Sequence, residues 1–467
     1  METGSAERSQ SRNLIRGLGL WAAIAIVIGD TIGTGVFLVA SDMAREVGSA
    51  TLVLVAWVLG GFIVLCGAFC YAELGAAFPK AGGPYVYLGR GLGPLWGFLF
   101  GWMSSFLERP VAMATLGAGF VRFLEFMFPV IGTPITSIHL GSYIFVFRLA
   151  QLLAAFVVAA VTAVNYFNVK TSGAIQVALT LLKIGTILVI VVGGMFFASP
   201  HPTEAVRTAR SFNGRMLFAL LSALVPAMWA YNGFNDLGDL GEEIKEPQKN
   251  IPRAILLGLL TIAGLYLMAN ITYFHVLPFE RVAESPSVAS DVVKVFAGQR
   301  GAAWLTVAMA LSALGALHVV VLTGARIPYA MSRDGLFFRF AARVHPTLHT
   351  PTGSLLFLGV VGVLLALTGT FEELYSLFVF ALWIFFALTA IALMRLRWKE
   401  PNLARPYRLW GYPVTPMIFL VAAIALTVNL WTVRPVRSSL GLAVILAGIP
   451  FFYRWRNRAP DRQPVRE

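Results

Sequence analysis

The chain has 467 residues, of which 58 % are hydrophobic and 13 % are charged. Soluble domains contain about 45–50 % apolar and about 25 % charged residues, so this composition excludes an ordinary soluble enzyme and indicates an integral membrane protein. A net charge of +13 would suggest a nucleic-acid partner for a soluble chain. Here the basic residues flank apolar segments, so we expect no nucleic-acid binding. Two cysteines are too few for a disulfide scaffold.

Twelve apolar segments approach or exceed the roughly 20 residues that a helix needs to cross the lipid bilayer. We therefore expect an all-α membrane protein with twelve transmembrane helices, in a single domain over residues 1–467. Lys and Arg favour one side by roughly two to one, which places the tails 1–13 and 455–467 in the cytoplasm and the protein in the cell membrane. The segments are 14–44, 50–78, 94–127, 142–166, 172–198, 214–241, 251–277, 296–331, 354–370, 373–397, 413–433 and 438–454.

The first apolar segment contains Gly29-Asp30-Thr31-Ile32-Gly33-Thr34-Gly35. Each glycine inside a helix costs about 1 kcal/mol relative to alanine. A backbone group that is freed in lipid costs several kcal/mol more unless something satisfies it. This segment therefore predicts a broken helix that lines a cavity or binds a ligand.

The sixth apolar segment is interrupted in the same way by Ala230-Tyr231-Asn232-Gly233-Phe234-Asn235. Segments one and six are the first members of two sets of five helices, and breaks at matching positions indicate a transporter site near the membrane midplane. Free backbone N–H groups at a break attract a carboxylate, and free carbonyls accept hydrogen bonds from an ammonium. A zwitterionic α-amino acid carries both groups. The alternative is that these glycines are helix-packing contacts.

Several motifs resemble those of the amino acid–polyamine–organocation transporters, and they occur in that family's order. Within the family, the chain looks closest to the L-type amino-acid transporter branch and its bacterial relatives. The motifs are Gly33–Phe37 (GTGVF), Tyr71–Leu74 followed by Pro79–Leu88, Glu242–Ala254, Arg326–Gly335, and Arg405–Tyr407 with Pro413.

The resemblance implies a fold of five plus five helices related as inverted repeats, with helices one and six broken and with alternating access around the breaks. The first repeat would be residues 14–198 and the second 214–397, followed by two additional helices in 413–454. The animal members tether a partner subunit through a cysteine between helices three and four. Residues 128–141 contain no cysteine, so we expect no disulfide-tethered heavy subunit.

The resemblance also implies which residues bind a substrate. The N–H groups of Thr34 and Gly35 would bind its carboxylate, backbone carbonyls of both breaks would accept from its ammonium, and Trp229 would cover it from outside. Asn232 stands where the family commonly has glycine, which puts a large aromatic substrate in doubt. The substrate-binding set is Thr31, Gly33, Thr34, Gly35, Trp229, Ala230, Asn232, Gly233 and Asn235.

Lys183 lies near the middle of the fifth segment, and a lysine at that depth is a functional candidate by default. The resemblance implies that it replaces the sodium ion that sodium-coupled relatives of the fold hold between helices one, five and eight. We expect it to donate a hydrogen bond to the first break near Gly29 and Asp30. A permanently paired structural lysine is the alternative. Asp30 would pair with Lys183, carry a coupling proton or cap the second half-helix.

Four further ionisable residues have structural interpretations. Glu108 and Arg109 are adjacent on a helix and point about 100° apart, so we expect them to stabilise the helix rather than pair with each other. Glu73 is expected to anchor the loop at Gly82-Gly83. His318 is more typical of packing than of proton transfer. No set of residues has metal-ligand spacing, and we predict no metal or cofactor.

The leading hypothesis is a secondary transporter of neutral L-amino acids, working by sodium-independent exchange or by proton coupling. A cationic amino acid or polyamine is the alternative substrate, with Asp236 and Asp239 as the acids that would face it. A non-transporting amino-acid sensor on the same fold is a second alternative. The sequence lacks the convergent nucleophile, base or metal residues of a membrane enzyme.

Overall fold

Helices dominate the structure because a backbone in lipid satisfies its hydrogen bonds only in a helix or a closed barrel. The computed structural model describes residues 16–140, 143–167, 172–199, 214–345, 350–369 and 371–457. The predicted tail 1–13 and most of the tail 455–467 lie outside these residues.

The helices are α1 (Leu20–Thr31), α2 (Gly35–Val47), α3 (Ala50–Ala77), α4 (Pro84–Gly91), α5 (Pro94–Met103), α6 (Arg109–Met127), α7 (Leu149–Phe167), α8 (Ser172–Phe197), α9 (Gly214–Ala230), α10 (Pro247–Val276), α11 (Phe279–Glu284), α12 (Val288–Gly324), α13 (Arg326–Arg333), α14 (Thr352–Ala366), α15 (Phe371–Lys399), α16 (Val414–Val433) and α17 (Pro435–Arg456).

Ten helical stretches of the described chain are long and apolar enough to cross a membrane. Three of them combine consecutive helices: α1 with α2, α5 with α6, and α12 with α13. At the predicted sixth and ninth positions the structure has shorter apolar helices, α9 with 17 residues and α14 with 15. Helix α9 is short because its chain leaves the helix at Ala230, where the sequence predicts a break. The chain is a multi-pass membrane protein.

A pair of antiparallel strands, β1 (Pro134–Leu140) and β2 (Tyr143–Arg148), precedes α7. The expectation of an all-α chain is therefore wrong at this point. The predicted start of the fourth segment at residue 142 is also wrong, because the helix begins at Leu149. The two strands are rich in β-branched and aromatic residues, which favour extended structure. The residues of β2 are also apolar, so hydropathy alone does not distinguish this strand from the start of the helix that follows it.

Helix α1 lies among α8, α10 and α12, while α2 packs against α9. Neighbouring helices donate hydrogen bonds to α1 near its broken end. Thr180 on α8 donates to the Ala25 carbonyl at 2.9 Å, and Ser312 on α12 donates to the Ile32 carbonyl at 3.4 Å. The Ser312 hydroxyl reaches a carbonyl of the break itself, whereas Thr180 gives a second donor to a carbonyl of the intact helix. The first break is thus held from several sides.

A second buried polar contact fixes the end of α3. Glu73 accepts two hydrogen bonds from Arg397 at the end of α15 and one, at 2.8 Å, from the backbone N–H of Leu409. Arg405 approaches the same carboxylate at 3.5 Å. The expectation that Glu73 anchors the loop at Gly82-Gly83 is wrong. It instead ties α3 to the connection between α15 and α16.

We expect Glu73→Gln to lower the melting temperature of the detergent-solubilised protein. The Glu73 side chain is 3 % exposed, and the substitution leaves the Arg397 cation without its charged partner. Breaking one side of a buried pair costs about 3 kcal/mol. Glu246→Gln is the matched control, because Glu246 and its partner Lys249 are both more than half exposed. Equal melting temperatures for the two variants would contradict the assignment.

Candidate binding site between two broken helices

The two predicted breaks are present and lie against each other. Helix α1 ends at Thr31 and α2 begins at Gly35, whereas α9 ends at Ala230 and is followed by turns and a short 3-10 helix, Asp236–Asp239. Gly233 has a φ of +117°, and a Cβ there would lie 2.9 Å from the backbone nitrogen of Thr31. Only glycine satisfies both requirements, so the two interrupted backbones meet at this residue.

Tyr266 on α10 connects the two breaks through its hydroxyl group. The hydroxyl is 3.0 Å from the Thr31 carbonyl, where α1 ends, and 3.0 Å from the Ala230 carbonyl, where α9 ends. Its ring packs against Trp57 and Tyr231, with centroids 5.4 and 5.3 Å away. Sequence reasoning missed Tyr266, because a tyrosine in an apolar helix gives no signal of which carbonyls it will reach.

A small cavity of about 30 Å³ lies between the breaks. Since a cavity needs about 10–15 Å³ to hold one water molecule, this space admits about two water-sized groups. Three apolar residues from α6 and α12 were not predicted to line it, and they form its remaining wall. The lining residues are Asp30, Thr31, Gly33, Thr34, Gly35, Ala112, Leu116, Trp229, Asn232 and Val320.

Four of the lining side chains have a buried polar atom without a hydrogen-bond partner among the described residues. They are Asp30 Oδ2, Thr31 Oγ1, Thr34 Oγ1 and Asn232 Oδ1. Most buried polar groups of native proteins are paired, so a cluster of unpaired ones requires an explanation. Here all four belong to residues that line one cavity, which is the arrangement expected of a polar ligand site.

Three of the predicted binding residues, Ala230, Gly233 and Asn235, do not line the cavity. Ala230 packs against Gly35, and Gly233 packs against Thr31. The Asn235 amide donates to the Asp236 carboxylate at 2.5 Å. These residues shape the breaks rather than border the cavity.

Trp229 lies at the boundary of the cavity beneath two aromatic rings of α15. It stacks on Tyr375 with centroids 6.4 Å apart and meets the edge of Phe378 at 5.0 Å. The Tyr375 hydroxyl donates to Asp42 at 3.2 Å, and Asp42 pairs with Arg45. Trp229 and Tyr375 therefore form a stack of side chains between the cavity and the end of α2, with Trp229 on the cavity side.

Lys183 is fully buried on α8, and its ammonium donates to the Gly29 carbonyl. Its predicted contact with the first break is thus present. The ammonium contacts this backbone carbonyl rather than the Asp30 carboxylate. His318 lies elsewhere, where its Nδ1 is 2.9 Å from the Asn165 amide on α7. No group of three or more potential metal ligands occurs in the described part of the chain.

Arg109 binds the two aspartates that sequence reasoning assigned to a cationic substrate. Its guanidinium bonds both Asp236 oxygens and, at 2.8 Å, the Asp239 carboxylate. Glu108 lies 3.7 Å from the Arg109 Nε, but the Arg109 hydrogen bonds go to the two aspartates, in line with the expectation that these neighbours do not simply pair with each other. A π-helical turn, Ser104–Glu108, precedes α6 and changes the direction in which they point.

Comparison with known proteins gives one consistent family. A family model described as amino acid permease matches residues 18–452. The chain is 30 % identical to the large neutral amino acids transporter small subunit 2 of Homo sapiens, over 93 % of this chain and 79 % of the relative. Identity is 29 % to the Asc-type amino acid transporter 1 of Mus musculus, over 94 % and 82 %. It is 26 % to the b(0,+)-type amino acid transporter 1 of Homo sapiens, over 96 % and 89 %.

We expect Gly35→Ala to destabilise the protein and to disrupt the site. The added Cβ would lie 2.5 Å from the Ala230 Cβ and 2.6 Å from its Cα, so α2 and α9 would have to separate. Such overpacking costs about 1–3 kcal/mol. The obstacle is therefore the direct contact between α2 and α9.

The matched control for Gly35→Ala is Gly264→Ala on α10, where an added Cβ meets nothing within 4 Å. Melting temperature and the elution profile in detergent are the measurements. If Gly35→Ala has the same melting temperature as Gly264→Ala, α2 and α9 are not in contact.

Proposed function

This chain belongs to the amino acid permease family, and we propose that it is a secondary transporter that moves small neutral L-amino acids across the plasma membrane by alternating access. One observation carries the proposal: the cavity between the two breaks is lined by residues with buried polar atoms that have no hydrogen-bond partner among the described residues. An amino acid supplies the complementary ammonium and carboxylate groups. The relatives with matching length are amino acid transporters.

The carboxylate of the substrate is assigned to the start of α2. The first backbone N–H groups of a helix have no acceptor inside it, and they attract anions. Thr34 and Gly35 stand at this start and line the cavity. The Thr34 hydroxyl, which has no partner, is a further donor to the carboxylate.

The ammonium of the substrate is assigned to the Asn232 side chain, which borders the cavity, and to the Ala230 carbonyl at the end of α9, which it would reach once the cavity widens. The Thr31 and Ala230 carbonyls each accept from Tyr266. A carbonyl oxygen has two lone pairs. Both are in use on Thr31, which also accepts from the Gly33 N–H at 2.9 Å, whereas the Ala230 carbonyl keeps one for a second donor. The Asn232 carbonyl oxygen of the side chain lines the same space and adds an acceptor.

The apolar wall of the cavity sets the size of the substrate side chain. Ala112 and Leu116 on α6 and Val320 on α12 lie where that side chain would point. A cavity of about 30 Å³ has to widen for any amino acid, and the smallest side chains need the least widening. Asn232 at the second break favours the same conclusion. We therefore place alanine and serine ahead of leucine and the aromatic amino acids.

Transport by this chain is proposed to be independent of sodium. The Lys183 ammonium already donates to the Gly29 carbonyl, at the place where a cation would otherwise neutralise the broken helix. A second cation in this buried place would be repelled at close range. Transport would then proceed by amino-acid exchange or with a coupled proton.

The proposed architecture is twelve transmembrane helices in two inverted repeats, residues 14–198 and 214–397, with two further helices and with both tails in the cytoplasm. A heavy subunit tethered by a disulfide is not part of it. The chain has two cysteines, Cys66 and Cys70, and both are buried in α3. Neither offers a thiol to a partner.

A cationic amino acid is a second candidate substrate because one acid, Asp30, does line the cavity. Asp236 and Asp239, the acids first assigned to this role, are bound to Arg109 and do not border the cavity. A lysine or polyamine chain would also need the cavity to widen much further than alanine does. Competition by L-lysine against L-alanine distinguishes the two substrates.

We expect the purified protein in liposomes to take up labelled L-alanine without sodium. Vesicles preloaded with unlabelled alanine test exchange, and empty vesicles with an inward proton gradient test proton coupling. Excess serine should compete more strongly than leucine, because leucine overfills the cavity. Failure of both vesicle types to take up alanine would contradict the proposed function, and stronger competition by lysine than by serine would favour the cationic alternative.

We expect Lys183→Ala to lose alanine transport, because the Gly29 carbonyl loses its donor and the first break loses its positive charge. Replacing sodium by choline should leave wild-type uptake unchanged. Lys294→Ala is the control, since Lys294 lies on α12 and is exposed. If Lys183→Ala transports like the control, Lys183 has no part in the transport cycle.

A further inference from the structure

A cluster of buried ionisable groups lies beside the cavity, where α6 meets the 3-10 helix that follows α9. Arg109 donates to Asp236 through both terminal nitrogens and to Asp239 through one, and its Nε faces Glu108. All four side chains are at most 3 % exposed. The transport mechanism proposed above does not use this cluster.

The cluster has more acids than its cation can neutralise. One guanidinium faces the carboxyl groups of Glu108, Asp236 and Asp239, and Asp30 interacts with Asp236 from the cavity side. A buried ionised carboxylate without a partner costs several kcal/mol, so buried acids in excess take up protons instead. The cluster therefore holds at least one proton in the conformation described.

The hydrogen bonds distinguish the acid that stays ionised from the acid that carries the proton. Asp236 accepts from Arg109 on both oxygens and from the Asn235 amide. Glu108 has a charge contact of 3.7 Å with the Arg109 Nε and an interaction with the Ser104 hydroxyl, and its Oε2 has no hydrogen-bond partner among the described residues. Asp239 is intermediate, with one bonded and one unpartnered oxygen. Of the three acids that face Arg109, Glu108 is thus the one to which the guanidinium donates no hydrogen bond.

The other ionisable groups around the cluster do not remove this excess of acid. Tyr71 on α3 and Tyr87 on α4 face Glu108 and Asp239 as neutral phenols. Arg326 on α13 approaches Asp239 but is bonded to Glu243 at 3.1 Å. On the cavity side, Lys183 donates to the Gly29 carbonyl and its charge attracts Asp30, which leaves three acids facing Arg109. The neutral Thr323 hydroxyl of α12 lies 3.4 Å from Arg109.

We propose that Glu108 is the proton-binding residue of the transport cycle, and that the Arg109 cluster carries one proton with each substrate. This proposal rests on the proposed transport function and specifies its coupling ion. The proton enters from water on the side of uptake and binds the Glu108 carboxylate while substrate occupies the cavity. It leaves to water on the opposite side, when α6 and the segment after α9 separate. No covalent bond forms or breaks besides the O–H bond.

The position of the cluster explains how a proton there influences the substrate. Asp236 follows the second break directly, and Asp30 borders the cavity while interacting with Asp236. When Glu108 is ionised, it competes with Asp236 and Asp239 for the single guanidinium. When Glu108 is protonated, Arg109 is committed to the two aspartates, and this pairing holds the segment beside the second break.

The test uses the full chain in liposomes with pyranine, a pH-sensitive dye, trapped inside. Unlabelled L-alanine is added to vesicles without internal amino acid, and acidification of the lumen is followed, while labelled alanine reports uptake. We expect alanine to acidify the lumen of wild-type vesicles. Uptake should fall as the external pH rises from about 6 to about 8, by up to about tenfold per pH unit above the pKa of the coupling group.

Glu108→Gln removes the ionisable group and keeps the shape of the side chain. We expect it to lose alanine-driven acidification and the pH dependence of uptake, while exchange into preloaded vesicles remains measurable. Glu108→Asp retains a carboxyl group and should acidify the lumen with a displaced pH midpoint. Glu280→Gln on the exposed face of α11 is the matched control and should behave as wild type.

The outcomes separate this proposal from the proposed function. Wild-type vesicles that exchange alanine but never acidify overturn the proton assignment and leave alanine transport standing. Acidification by Glu108→Gln at the wild-type rate also overturns it. If Glu108→Gln does not fold, Glu108→Asp provides the test. A pH midpoint of uptake in Glu108→Asp equal to that of the wild type would then overturn the proton assignment. Wild-type vesicles that neither exchange nor accumulate alanine refute transport itself.

Discussion

The structure depends on one constraint, that backbone polar groups in lipid must find partners inside the protein. Helix α1 stops at Thr31, which frees its last carbonyls. Side chains from three neighbouring helices supply donors to the broken end, among them Lys183, Tyr266 and Ser312. The break is stable only because these donors converge on it. The packing of α1 among α8, α10 and α12 is therefore part of the binding site.

The same constraint explains why a cavity is left at this place. Donors from α8 and α10 satisfy the carbonyls at the end of α1, but the hydroxyls of Thr31 and Thr34 and the side-chain carbonyl of Asn232 have no hydrogen-bond partner in the part of the chain that the structure describes. In the proposed function, a zwitterionic ligand completes these contacts.

Local features of the site could be predicted from the sequence, and long-range ones could not. Gly33, Gly233 and Lys183 stand out because glycine and lysine are costly inside apolar helices. By contrast, Glu73 finds its partner Arg397 across 324 residues, and Arg109 finds Asp236 across 127. Leu116 and Val320 are ordinary apolar residues that give no sign of bordering a cavity. Strand β2 could not be predicted because its apolar residues are compatible both with a helix in lipid and with a strand.

Tyr266 has a single hydroxyl proton and two carbonyl acceptors at equal distances of 3.0 Å. The ends of α1 and α9 therefore compete for one donor. If either helix end moves away, the proton turns fully towards the end that remains. The number of hydrogen bonds that this hydroxyl donates is then unchanged by the movement. Tyr266 therefore keeps a partner even when the ends of α1 and α9 part.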